Sequence, residues 1–121
     1  MHILVVDDDT MAATIVSLSL EEAGYEVTLA GDGEEALRLV GGNGQFAAII
    51  SDLNMPGIDG LELHRQLQQS GIDAPFILLS GGNPEQLRQM APGVADCLAK
   101  DEALADTIAD AVARAVAAAR Q

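Results

Sequence analysis

Five short apolar runs constrain this chain more than any other feature. Residues 3–6 (ILVV), 27–30 (VTLA), 47–50 (AAII), 76–79 (FILL) and 97–99 (CLA) are three or four residues long. Thr28 apart, they are apolar without alternation. A strand with one wet face alternates, whereas one covered on both faces reads as a continuous apolar run. Helical spacing fills the gaps. Residues 11–23 place Ala12, Val16, Leu20 and Ala23 on one stripe, with Ile15 beside it. Residues 34–40 repeat Ala36, Leu37 and Val40, and residues 61–67 offer Leu61, Leu63 and Leu67. Residues 104–119 carry Leu104, Ile108, Val112 and Val116 at intervals of four, with Asp106, Asp110 and Arg114 opposite. The tail "AVARAVAAARQ" reads as the end of that last helix. Gly24, Gly33, Gly71, Gly81, Gly82 and Gly93 punctuate the joints. Five alternations of strand and helix predict an α/β fold, a doubly wound, five-stranded parallel sheet with helices on both faces. The 121 residues suit one domain, residues 1–121, without repeat or linker.

In sheets of this kind ligands sit beyond the carboxyl ends of the strands. There the chain places Asp7, Asp8 and Asp9 after the first run, Asp52 after the third, Ser80 after the fourth and Lys100 after the fifth. Neighbouring carboxylates repel, and burial makes that worse. A hard divalent cation, Mg²⁺ by preference, resolves it, because such ions take carboxylate, carbonyl and water oxygens. Asp52 is then placed to attack phosphorus as a nucleophile. Lys100 can pair with the resulting phosphoryl group and Ser80 can hydrogen-bond another of its oxygens. Phosphoryl transfer needs little beyond positioning and charge neutralisation.

Composition narrows the alternatives. The net charge of −13 repels nucleic acid and anionic lipid, so neither is expected as a direct partner. Aromatics are limited to Tyr25, Phe46 and Phe76, which leaves almost nothing for stacking on bases. Half of the residues, 49%, are apolar, as in a folded and soluble protein. The one cysteine, Cys97, excludes an internal disulfide and fits a reducing cytoplasm. No basic leader or long apolar stretch marks export or a membrane span. The segment "DLNMPGIDGLEL" fails as a calcium loop, since Leu63 stands where a bidentate Glu is required. "DDDT" fails as a dehalogenase-type nucleophile motif, because Met11 replaces the required threonine. His2 and His64 read as surface or packing residues, and Cys97 as a small buried apolar one.

Asp7–Asp8, Asp52 with "DLNMPGIDG", Ser80 and Lys100, in this order at these strand ends, resemble the receiver domain of bacterial response regulators. The resemblance covers essentially the whole chain, "AGYEVTLAGDGEEAL" included. It implies a flavodoxin-like (βα)₅ fold in which Asp52 accepts a phosphoryl group from a sensor histidine kinase or a phosphohistidine transfer protein. It further implies that Asp8 binds Mg²⁺ directly and Asp7 through water, and that the backbone carbonyl of Asn54 completes the protein ligands. Ser80 and Lys100 would contact the phosphoryl group, and Ser80 would move towards it on activation. Pro56 and Gly60 would shape the loop and the start of the third helix. Asp9 is left to face water, and Asp9 or Thr10 to cap the first helix.

Three positions depart from the family pattern. Cys97 stands where an aromatic switch residue is usual, three before the lysine. Asp101 replaces the proline that usually follows it, so a cis peptide there is not expected, and Asp101 either diverts Lys100 or caps the last helix. The fourth helix, "PEQLRQM", should end after about two turns at Pro92 and Gly93. The fourth helix, fifth strand and fifth helix are the family's usual output and homodimer face, so transmission to a partner or an output domain outside this chain is expected to be non-standard. Three readings remain open: a phosphorylation-dependent interaction module, a phosphate shuttle or sink, and a receiver that binds protein without phosphate. Beyond its own phosphorylation and dephosphorylation no enzymatic activity is expected. Gly82 leaves the phosphoryl site open on one side, which predicts fast self-hydrolysis.

Overall fold

The computed structural model describes residues 1–42 and 45–119. The predicted end of the last helix therefore falls partly outside the described residues, at positions 120 and 121. Five strands, β1 (His2–Val6), β2 (Glu26–Ala30), β3 (Ala48–Asp52), β4 (Phe76–Ser80) and β5 (Asp96–Ala99), alternate with five helices. These are α1 (Thr10–Glu22), α2 (Gly33–Gly41), α3 (Gly60–Gln69), α4 (Pro84–Met90) and α5 (Leu104–Ala119). The strands form one parallel sheet in the order β2-β1-β3-β4-β5. The predicted doubly wound architecture is therefore present.

Successive side chains of a strand point to opposite faces, and this divides the core in two. Ile3, Val5, Ile50, Ile77 and Leu79 meet Val16 and Leu20 of α1 and Ile108, Val112 and Val116 of α5. Leu4, Val6, Ile49 and Leu78 meet Ala36 of α2, Leu63 and Leu67 of α3, and Leu87 of α4. The central strands β3 and β4 are buried along their whole length, as their unbroken apolar runs require. β2 departs from that reading, with Leu29 exposed and only Ala30 fully buried. It is an edge strand, so its sequence resembles that of an inner strand while its surroundings do not.

α1 corrects a second expectation. Its inward residues are Ala13, Val16 and Leu20, whereas Ala12 is half-buried, Ala23 is exposed and Ile15 turns outward with Met11 and Leu18. The other stripes hold, most fully in α5, where Leu104, Ile108, Val112 and Val116 are all buried. Side-chain caps start four helices. Asp9 accepts from the N–H groups of Met11 and Ala12, Asp32 from Glu35, Asp59 from Glu62 and Asn83 from Glu85. α4 stops at Met90, just before Pro92, as predicted.

Candidate functional site

Every strand ends at the same pole of the sheet, so the order β1-β3-β4-β5 lines up the residues that follow four of them. Asp7 follows β1, Asp52 ends central strand β3, Ser80 ends β4 and Lys100 follows β5. Asp7, Asp52 and Ser80 are buried, and Asp8 is exposed beside them. Carboxylate oxygens of Asp7, Asp8 and Asp52 lie within 4.8 Å of one another. Lys100 Nζ sits between two of these groups, 3.0 Å from Asp7 Oδ2 and 3.4 Å from Asp52 Oδ2.

Backbone donors complete the frame. The N–H of Asp9 donates to Asp7 Oδ1 at 2.9 Å, and the backbone N–H of Asn54 favours the charged form of the Asp52 carboxylate. The turn after β3 is anchored twice, by Leu53 N–H to Leu79 O at 2.8 Å and by Gly60 N–H to Leu53 O at 2.9 Å. At Gly60 a Cβ would stand 2.6 Å from Asp52 O and 2.7 Å from Leu78 Cδ2. The start of α3 can press against the end of β3 only because that residue has no side chain. Ser80 Oγ accepts from the N–H of Gly82 at 3.0 Å.

The electrostatics follow from this crowding. Burial raises the pKa of Asp52, the neighbouring Asp7 charge adds to the rise, and Lys100 and the Asn54 N–H oppose it. Burial pulls the Lys100 ammonium down, but its hydrogen bond to Asp7 and the charges of Asp7 and Asp52 carry it above its usual value. Two like charges 4 Å apart repel by about 4 kcal/mol at an effective dielectric of about 20. One lysine among three carboxylates leaves the cluster short of positive charge. The donor set is therefore all oxygen and net anionic, and it fits a hard divalent cation and not a soft metal.

The sequence placed Asp7, Asp8, Asp52 and Lys100 in one site, and the structure brings all four together. Ser80 stands at the neighbouring strand end and Asn54 in the loop after Asp52. Asp9 caps α1 and is not one of the clustered carboxylates. Asp101 does not divert Lys100. Its side chain accepts the N–H of Ala103 at 2.9 Å in the turn before α5, and its peptide bond to Lys100 is trans. Cys97 is fully buried, and burial pushes its thiol pKa up. His64 stacks on Phe76 at 4.9 Å between ring centres, and burial lowers its pKa.

Two features escaped the sequence reading. One is the outward stripe of Met11, Ile15 and Leu18 on α1, 74%, 48% and 56% exposed, running away from the acidic cluster. Its signal was present as an i, i+4, i+7 apolar row, which the stripe assigned to the core had obscured. The other is Arg88, which reaches from α4 to β5, and spacing along the chain gave no sign of it. Among the described residues no helix is long and apolar enough to cross a membrane.

Comparison with known proteins agrees with this geometry. The family model of the response regulator receiver domain matches residues 3–112. Response regulator MprA of Mycobacterium sp. (strain KMS) is 40% identical over 111 residues, 90% of this chain and 48% of that protein. MprA of Mycobacterium avium (strain 104) is 39% identical over the same length. This chain thus spans about half the length of the curated relatives it matches. The Francisella response regulator 1452 receiver domain superposes with a TM-score of 0.84 at 30% identity, covering 98% of both chains. TrrA of Thermotoga maritima, solved in complex with Mg²⁺ and BeF, gives 0.83 at 31% identity, covering 93% of this chain and 96% of that one. With its acidic cluster, its lysine and its sheet order, the chain belongs to the family of response regulator receiver domains of two-component systems.

Proposed function

We propose that this domain accepts a phosphoryl group on Asp52 from a phosphohistidine of a sensor kinase or a phosphotransfer protein, and signals through phosphorylation-dependent protein contacts. The observation that carries this reading is the approach of Asp7, Asp8 and Asp52 to within 4.8 Å, with Lys100 against two of them. Asp8, Asp52 and the carbonyl of Asn54 would hold Mg²⁺, with Asp7 acting through water. The bound ion supplies neutralising charge for the phosphoryl oxygens. Asp52 presents its carboxylate oxygen to phosphorus. As that O–P bond forms the P–N bond to the donor imidazole breaks, and the freed imidazole takes up a proton. Lys100 pairs with one phosphoryl oxygen, and the Ser80 hydroxyl donates to another.

The exposed stripe on α1 supplies the landing surface for the donor. Met11, Ile15 and Leu18 begin four residues after Asp7, and an apolar helix face of a partner would bury them while holding its phosphohistidine over Asp52. The half-length match to MprA supports an output domain or effector outside these residues.

A second reading, a phosphate shuttle or sink, is favoured by Cys97, which is small and fully buried where the family places a mobile ring. Acetyl phosphate with Mg²⁺ separates the readings. Intact mass should show one phosphoryl group on the wild type and none on Asp52→Asn. NMR shifts reaching residues 84–119 support the switch, shifts confined to the pocket support the shuttle, and no modification overturns both. The open side of the pocket predicts a short phosphate lifetime. A Cβ on Gly82 meets only Ser80 Oγ, at 3.6 Å, so Gly82→Gln fits and should slow phosphate loss several-fold by shielding the group from water. A wild-type lifetime of many hours contradicts this.

A further inference from the structure

β5 is an edge of the sheet, so alternate residues turn their backbone N–H and C=O away from the neighbouring strand. Lys100 N–H donates to Ser80 O at 2.8 Å, which sets the alternation: even-numbered residues face β4 and Cys97 faces outward. Both outward groups of Cys97 are met by one ion pair. Its N–H donates to Asp96 Oδ1 at 2.8 Å, and its carbonyl accepts from Arg88 Nη2 at 3.1 Å. The same Nη2 donates to Asp96 Oδ1 at 2.9 Å. The other Asp96 oxygen lies 3.8 Å from Arg114 Nη2 on α5. Asp96 thus stands between α4 and α5, bonded to the first and within reach of the second.

Little else holds α4. Seven residues do not sustain a helix alone, and only Leu87 and the capping Ala91 are buried from this segment. Its start is tied to the acidic pole. Ser80 Oγ accepts the N–H of Gly82, and Asn83, the next residue, caps α4 through Glu85 N–H at 2.9 Å. A Ser80 hydroxyl that turns to a new acceptor releases Gly82, and α4 hangs directly from that loop.

We propose that Arg88 is a clasp fastening α4 to the open edge of β5, and that Asp96 is a two-position switch. It is held by Arg88 in the unmodified protein and passes to Arg114 when Ser80 turns towards a modified Asp52. The passing step rests on Asp52 being the phosphoacceptor, as proposed above. The clasp uses only the backbone of residue 97, so a side chain as small as cysteine serves. Arg88 and Asp96 are partly exposed, so their pairing is screened and modest. A switch needs two states of similar free energy, and such a pair suits one.

The test uses the ¹⁵N-labelled chain in two stages. In the unmodified protein, Arg88→Ala should speed amide hydrogen exchange at Leu87 and Ala91 about three- to fivefold, leaving α3 unchanged. Arg114→Ala should leave α4 exchange within twofold of the wild type. Equal α4 exchange in Arg88→Ala and the wild type overturns the clasp. Beryllofluoride with Mg²⁺ is then added. In the wild type the Arg88 and Arg114 side-chain N–H signals should both shift. In Asp96→Asn the Arg114 shift should fall below half, while shifts around Asp52 and Ser80 persist. An undiminished Arg114 shift overturns the switch. Absence of any shift around Asp52 overturns the phosphoacceptor reading and the switch together, and the exchange result still decides the clasp.

Discussion

Lys100 is the one lysine in the chain, and it is held by two aspartates at 3.0 and 3.4 Å against its own burial. Its folded pKa lies above the ordinary lysine value of 10.5. The stability it contributes is therefore fully present below pH 10.5 and is lost as pH rises through the higher folded value. Urea midpoints of the metal-free wild type should fall through this window. Lys100→Met, less stable at neutral pH, should lack that part of the fall; parallel curves would show that the contact contributes nothing. Asp52 has the same sign in an acid window: with its pKa raised, its ionisation disfavours the fold as pH rises from 3.8 through the higher native value. At Gly60 the constraint is steric. A methyl group would stand inside the contact distance of Asp52 O and Leu78 Cδ2, so Gly60→Ala should cost about 1–3 kcal/mol, read as a lower urea midpoint with unchanged slope. The residues of the acidic cluster were legible because like charges at strand ends demand an explanation. Arg88 was not, because its partner lies across an edge that only the folded sheet creates.

Helix α1 shows both what a pattern can tell and where it stops. Its start was legible: a short acidic residue after an apolar run points to a cap, and Asp9 accepts two N–H groups there, at 3.0 and 3.3 Å. Asp9→Ala should lower stability by about 1 kcal/mol in urea titration and leave phosphorylation of Asp52 intact. Its orientation was not legible. Apolar residues lie on two sides of this helix, and periodicity alone does not say which side meets the sheet. Ala13, Val16 and Leu20 face the core, while Met11, Ile15 and Leu18 are left outside. β2 carries the same lesson, since an apolar run reports what a strand could bury and not where in the sheet it lies. α5 was read correctly because its buried and charged residues fall on opposite sides without ambiguity.

Across the whole molecule, a net charge of −13 on 121 residues works against compactness. Added NaCl should raise the melting temperature by screening, and a few millimolar Mg²⁺ should raise it further in the wild type than in Asp8→Ala. Equal Mg²⁺ effects would mean that the ion acts by general screening only. The order of assembly also follows from the architecture. The layer of core beneath α1 is closed by Ile108, Val112 and Val116, which come near the end of the chain, while Ile3, Val5, Val16 and Leu20 come at its beginning. During synthesis the ribosome therefore releases one wall of this layer long before the other. Until α5 emerges, the growing polypeptide carries an open aliphatic surface of the kind that chaperones bind and neighbouring chains stick to. The time taken to translate the stretch between α1 and α5 should therefore set how long that surface stays open.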